Sequence, residues 1–233
     1  MDALLADASL RKEMQEKLDA HGIVVSAFSC HNNPLSPNKE EAKLADETLR
    51  KTMKLASLMN VPVVNTFSGI PGDSDDATYP NWPIIPWPTE YKSVYEWQWE
   101  TKIIPYWKEI GTLAEDLNVK VAIELHGGFS AHTPYTILKL RRNTSKHIGV
   151  NFDPSHLWWQ GIDPVAAIKL LDDAIFHVHA KDIYLDQDNI NMYGLTDMQD
   201  YGDVKTRAWT FRTVGYGHVL KVFHHHILSI SMF

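Results

Sequence analysis

Three short apolar runs in the second half of the chain each end in a side chain that can bind a metal or move a proton. Val119-Lys120-Val121-Ala122-Ile123 leads to Glu124, Ile148-Gly149-Val150-Asn151-Phe152 leads to Asp153, and Ile175-Phe176-His177-Val178 leads to His179. Each run reads as a β-strand with its polar group at the C-terminal end. In barrels of parallel strands that end carries the active site. Carboxylate and imidazole together suit a divalent ion such as Mn, Co, Zn or Mg.

Side chains alternate across a strand. Glu124 therefore shares a face with Ala122, Asp153 with Asn151 and Gly149, and His179 with His177. The opposite face holds Ile123, Val150, Phe152, Phe176 and Val178, which suit packing beneath helices. Each residue also has a plainer reading. Glu124 can be a solvated strand end, and Asp153 before Pro154 can be a turn former. His177 fits a hydrogen-bonded interior histidine. The coincidence of three such strand ends favours a metal site. The run His224-His225-His226 fits adventitious metal binding better than a built site. Trp82, Trp87, Trp97, Trp99 and Trp107 can line a pocket or fill a core.

The surrounding pattern alternates helix and strand. Residues 8–20 are helix-prone and stop at Gly22. Residues 23–29 form a first strand pattern, and Ser36-Pro37 marks a helix start. Leu49, Met53 and Ala56 define a helical apolar face, and residues 61–67 a second strand. Residues 69–90, rich in Pro, Gly, Asp and Trp, predict a long loop of the kind that is usually functional. A helix follows around Ile103, Trp107, Ile110 and Leu117, with Pro105 in its first turns. Thr133-Pro134 and Asp163-Pro164 open two more helices, Asp163 as an N-cap. Strands separated by helices argue for βαβ units and a parallel sheet, an α/β fold. A closed barrel takes eight strands. Five are evident, so the pattern is that of an incomplete TIM (β/α)8-type barrel in which the first two strands and a regular last strand are not evident. The expected organisation is a single domain over residues 1–233, with 219–233 as an atypical tail.

The 233 residues carry a net charge of −7, which argues against a general nucleic-acid or membrane-surface binder. A local basic pocket for a phosphorylated sugar is compatible with it. Cys30 is the single cysteine, so no internal disulfide forms, as in a reducing compartment. The first residues lack the pattern of a secretory signal, and no stretch is apolar enough to span a bilayer. The expectation is a cytoplasmic protein with no nucleic-acid or membrane partner.

Asn151-Phe152-Asp153-Pro154-Ser155-His156, with Glu124 before it and His177-Val178-His179-Ala180-Lys181-Asp182 after it, resembles the sugar phosphate isomerase/epimerase family. These are xylose isomerase-like TIM barrels, related to ketose 3-epimerases and inosose dehydratases. Asn33-Pro34-Leu35-Ser36-Pro37 and Val61-Pro62-Val63-Val64-Asn65-Thr66-Phe67 are similar to that family's third and fourth strands with their loops. The resemblance covers about residues 20–218.

The resemblance implies a sugar or sugar phosphate isomerase/epimerase working by proton transfer through a metal-bound enediolate. Glu124, Asp153 and His179 match three of four metal ligands, and Glu124 is also a general base. His156, Lys181 and Asp182 match groups that face substrate, and Arg212, with Arg207 nearby, lies in a stretch that reaches it. The expected partner is a small sugar or polyol. The family's second glutamate, at the end of the last strand, has no counterpart after His218, where the chain contains no Asp or Glu. That departure suggests truncation at both ends and leaves open sheet edges, which pairing into a homo-oligomer would cover. It also keeps two rivals open: a dehydratase of a cyclic polyol such as an inosose, and an inactive remnant of such a barrel. A DNA-repair endonuclease of the same superfold fits less well, given the acidic charge and the small ligand set.

Overall fold

The computed structural model describes residues 1–218. The His224–His226 run and the atypical tail 219–233 lie outside the described residues.

The chain opens with two helices, α1 (Asp2–Ala6) and α2 (Ala8–Ala20). Asp7 caps α2 by accepting the N–H groups of Ser9 and Leu10. The first strand, β1 (Phe28–Cys30), is shorter than the pattern over residues 23–29 suggests. Ile23 and Val24 are exposed, so their β-branched character reflects no buried pairing. Helix α3 (Lys39–Leu58) starts at Asn38, whose side chain accepts from Glu40 and Glu41, and not at Ser36-Pro37. Ser36 supports that start instead, its hydroxyl accepting from Asn38 N and donating to Glu41. Leu49, Met53 and Ala56 form the buried face, as their spacing predicts.

Strand β2 (Val63–Thr66) follows, and residues 67–88 form the expected long loop before α4 (Thr89–Gln98). A π-helical turn, Trp99–Ile103, joins α4 to α5 (Ile104–Asp116). Pro105 has no N–H to donate back, and the wider turn accommodates the missing bond. Helices α3 and α5 close with one device. Asn60 and Asn118 take left-handed φ values of 55° and 51°. Val61 N then reaches Ala56 O at 2.9 Å, and Val119 N reaches Ala114 O at 3.0 Å. This left-handed cap ends each helix and launches the next strand.

The remaining elements are β3 (Lys120–Glu124), α6 (Pro134–Asn143), β4 (Ile148–Phe152), α7 (Pro154–Trp158), α8 (Pro164–Leu171), β5 (Ile175–Val178), β6 (Asp182–Leu185), α9 (Gln187–Tyr193) and β7 (Trp209–Arg212). Asp163 caps α8 through Val165 N, as expected. Strands β1 to β5 form one sheet in sequence order, and β1 to β4 pair in parallel. That order, with helices between strands, is an α/β architecture of βαβ units. Strands β6 and β7 form a separate antiparallel pair.

The described chain divides into two compact units. The first comprises residues 1–151 with 173–177, and the second comprises residues 152–172 with those from 178 onward. In the first, Trp99, Ile103, Trp107, Ile110, Val121, Ile123, Ile137 and Leu140 are almost fully buried. Trp99 and Trp107 are therefore core residues, whereas Trp87 is 71% exposed, so the tryptophans do not act as one cluster. Trp107 Nε1 donates to Ser68 O at 2.9 Å, which satisfies its polar end. Phe176 departs from the outer-face reading: its ring lies under the Lys120 ammonium at 4.8 Å. A Cβ on Gly149 would meet that ring at 2.3 Å and Ala174 O at 2.5 Å. The close approach explains glycine at 149.

Candidate active site

In the first unit the site begins at the end of β3. Glu124 is 5% exposed. Its Oε2 accepts from Asn151 Nδ2 at 2.9 Å, and His31 Nε2 lies 3.2 Å from the same oxygen. The parallel register that sets Glu124 beside Asn151 comes directly from β3 and β4. Asn151 is fully buried and has a second neighbour, since its Oδ1 is 3.2 Å from His177 Nδ1. His177 also contacts Asn65 at 3.2 Å and Ser26 at 3.3 Å. It is thus the hydrogen-bonded interior histidine that its position suggests. It stands at one end of a polar chain that reaches Glu124 through Asn151.

His31 follows β1 directly and extends the site beyond what the strand-end acids indicate. Its ring packs edge-on against Phe67 at 4.7 Å. Phe67 stacks on Phe129 at 4.3 Å and meets His126 at 5.1 Å. Each of these rings follows the C-terminal end of a strand, so a ring cluster grows from β1, β2 and β3. The run Cys30-His31-Asn32-Asn33 after an apolar strand carries the signal for His31. It ends no acid-bearing run, and its partner Glu124 lies far along the chain.

In the second unit Asp153 is 1% exposed and divides its carboxylate between two tasks. Oδ1 accepts from Ser155 N at 3.0 Å and Ser155 Oγ at 2.6 Å, which caps α7. Oδ2 lies 2.7 Å from the Lys181 ammonium. The same ammonium is 3.0 Å from His156 Nε2, and His156 Nε2 is 3.5 Å from Asp153 Oδ2. Asp153, His156 and Lys181 therefore meet in one cluster. Phe211 of β7 covers it, with its ring 5.1 Å from the His156 ring and 4.1 Å from Lys181 Nζ.

His179 follows β5, is partly buried, and its N–H donates to Phe152 O at 3.0 Å. Asp182 is fully buried. Its carboxylate accepts from Ile183 N at 2.8 Å, Gly215 N at 3.0 Å and Gly217 N at 3.1 Å. Those bonds fasten the turn after β7 to β6. Arg212 pairs across from Asp182 in the β6–β7 register, and its Nη1 donates to Phe211 O at 3.1 Å.

Each unit thus offers a buried carboxylate oxygen close to an imidazole nitrogen at a strand's C-terminal end. That donor set suits a divalent cation of the Mn, Co or Zn type. The Lys181 ammonium shows that the surroundings of Asp153 already accommodate positive charge.

Among the described residues no helix is long and apolar enough to cross a membrane. The chain is 36% identical over 224 residues to the uncharacterized protein YfiH of Bacillus subtilis, covering 95% of this chain and 71% of that protein. A stretch of 79 residues is 35% identical to inosose dehydratase of Clostridium beijerinckii, 34% of this chain and 26% of that enzyme. Among solved structures, a D-tagatose 3-epimerase-like protein superposes with a TM-score of 0.55 at 22% identity, over 76% of this chain and 62% of that one. The IOLI protein, solved with a zinc atom, superposes with a TM-score of 0.52 at 18% identity, over 77% and 59%. At such identities these two structures speak for the fold alone, and this chain spans less than two thirds of either. The family model for the xylose isomerase-like TIM barrel matches residues 2–229, and the chain belongs to that family.

Proposed function

We propose that the protein is a divalent-metal-dependent isomerase or epimerase of a sugar or sugar phosphate. The observation that carries this is the buried carboxylate beside an imidazole at a strand end, present once in each unit: Glu124 with His31, and Asp153 with His156. Family membership adds to it, and the epimerase-like and zinc-containing structures share the fold on which it rests. As the resemblance implies, Glu124, Asp153 and His179 would be the ligands of one divalent ion. When bound, that ion supplies polarisation of a carbonyl and an adjacent hydroxyl, which acidifies the C–H between them.

The chain's own residues do the rest. Glu124 takes the proton from one carbon and returns it to the neighbouring carbon as carbonyl and hydroxyl exchange places, its carboxylate oriented by the bond from Asn151 Nδ2. His156 and Lys181 donate to substrate oxygens, and Phe211 shields them from water on one side. Arg212 and Asp182 belong to the substrate-binding ribbon, Asp182 by shaping the turn that follows β7. The 233 residues act as one functional domain on a small molecule in the cytoplasm, without nucleic acid or membrane.

A second reading, dehydration of a cyclic polyol, has its own support in the 79-residue match to inosose dehydratase. The two diverge in product. Incubating the metal-loaded protein with ketohexoses and with inosose, and following products by NMR, separates them. Exchange of the carbon-bound hydrogen with solvent and no loss of water indicates isomerisation. An enone-type product indicates dehydration. Glu124→Gln should lower either turnover by at least about a hundredfold. No turnover of either class, in protein that holds metal, would leave the inactive remnant as the correct description.

A further inference from the structure

Arg207 is 6% exposed in the second unit. Its guanidinium lies 4.0 Å from the centre of the Tyr201 ring and 4.6 Å from that of Trp209. Trp209 in turn stacks on Trp159, with ring centres 5.1 Å apart and planes 8° from parallel. Contacts of this kind hold the flat faces of a guanidinium and leave its in-plane N–H groups for acceptors. Arginine carries five such donors. In this structure Nε donates to Trp209 O at 3.2 Å, and no other hydrogen bond or ion pair is made by the Arg207 side chain among the described residues. A buried cation with unpaired donors is costly unless something completes it.

A cavity of about 200 Å³ adjoins it, its lining including Tyr201, Arg207, Trp209, Thr210, Phe211 and Arg212. Arg212 also lines the cavity, likewise without a carboxylate partner among the described residues. Among the described residues no Asp or Glu lines the cavity. Burial raises the Tyr201 phenol above its ordinary range, so it stays a neutral hydroxyl beside Arg207. Two arginines and Thr210, with no acid among the described lining residues, make this cavity suited to an oxyanion. Phe211 lines this cavity and also covers the Asp153–His156–Lys181 cluster, so one ring separates the two.

We propose that this cavity binds the phosphate or carboxylate group of the substrate, with Arg207 and Arg212 as its anchors. Assigning that anion to a sugar rests on the proposed isomerase or dehydratase reading, whereas the oxyanion site itself does not. The test is calorimetric titration of metal-free protein with inorganic phosphate and, separately, with acetate. Wild type, Arg207→Met, Arg212→Met and the control Arg142→Met, outside the cavity, are compared, with thermal unfolding to confirm the fold of each. The expected result is one saturable anion per chain, weakened about tenfold or more in Arg207→Met or Arg212→Met and unchanged in Arg142→Met. Preference for phosphate points to a phosphorylated substrate, and preference for acetate to a sugar acid. If Arg207→Met does not fold, the comparison of Arg212→Met with wild type decides. Absence of binding by wild type, or binding undiminished in the cavity variants that fold, overturns the site. Because metal is absent throughout, failure of the metal-site reading would leave this result standing.

Discussion

The two buried carboxylates, Glu124 in the first unit and Asp153 in the second, are held by different kinds of neighbour. Glu124 meets an amide donor and an imidazole, from Asn151 and His31. Asp153 is held by a serine N–H and hydroxyl on one oxygen and by the Lys181 ammonium on the other. The first is fixed in direction by a neutral amide and an imidazole, the setting in which the proposed proton transfer would take place. The second is fixed and also neutralised, so a metal arriving there competes with a cation the protein supplies itself. The same residue class thus sits in two electrostatic settings, and the proposed roles of proton transfer and ligation would draw on that difference.

Removing one side of that comparison should give the larger effect. Lys181→Met leaves the Asp153 carboxylate buried without its cation. Lys181 is about a third exposed (32%), which moderates the loss. The expected destabilisation in metal-free protein is about 2 kcal/mol, measured by urea unfolding. Saturating divalent metal should restore most of it, because the ion then occupies the released carboxylate. A loss that metal does not restore would mean that Asp153 is a capping residue and nothing more.

On the other side, Asn151→Ala removes a neutral donor and leaves Glu124 with His31. About 1 kcal/mol of stability should be lost, and added metal should not specifically restore it. If Asn151→Ala proved as damaging as Lys181→Met and equally metal-responsive, the distinction between the two carboxylates would fail.

Much of this arrangement is legible in the sequence, and the rest is hidden for identifiable reasons. Glu124, Asp153 and His179 announce themselves because each ends a strand whose alternation is visible over five or six residues. Asp163 and the Thr133-Pro134 start are legible because capping is local. The contact between His31 and Glu124 is not, since nothing near residue 31 records what the end of β3 brings beside it. The Lys181–Asp153 pair is hidden in the same way, even though the family motif includes both residues. The resemblance gives Asp182 as a group that faces substrate, whereas its carboxylate faces the backbone N–H groups of Gly215 and Gly217, which lie on the far side of β7. The antiparallel β6–β7 pair leaves little trace because Trp209–Arg212 is short and follows a polar, turn-rich stretch. The oxyanion cavity depends on that pair and is invisible for the same reason.

Metal content tests the central claim most directly. Purified, tag-free wild type, Glu124→Ala and Asp153→Ala would be dialysed against a divalent metal and then analysed for bound metal, with folding confirmed by circular dichroism. About one ion per chain is expected in wild type, with most of it lost in both variants. Metal absent from wild type, or retained in full by both variants, would contradict the claim.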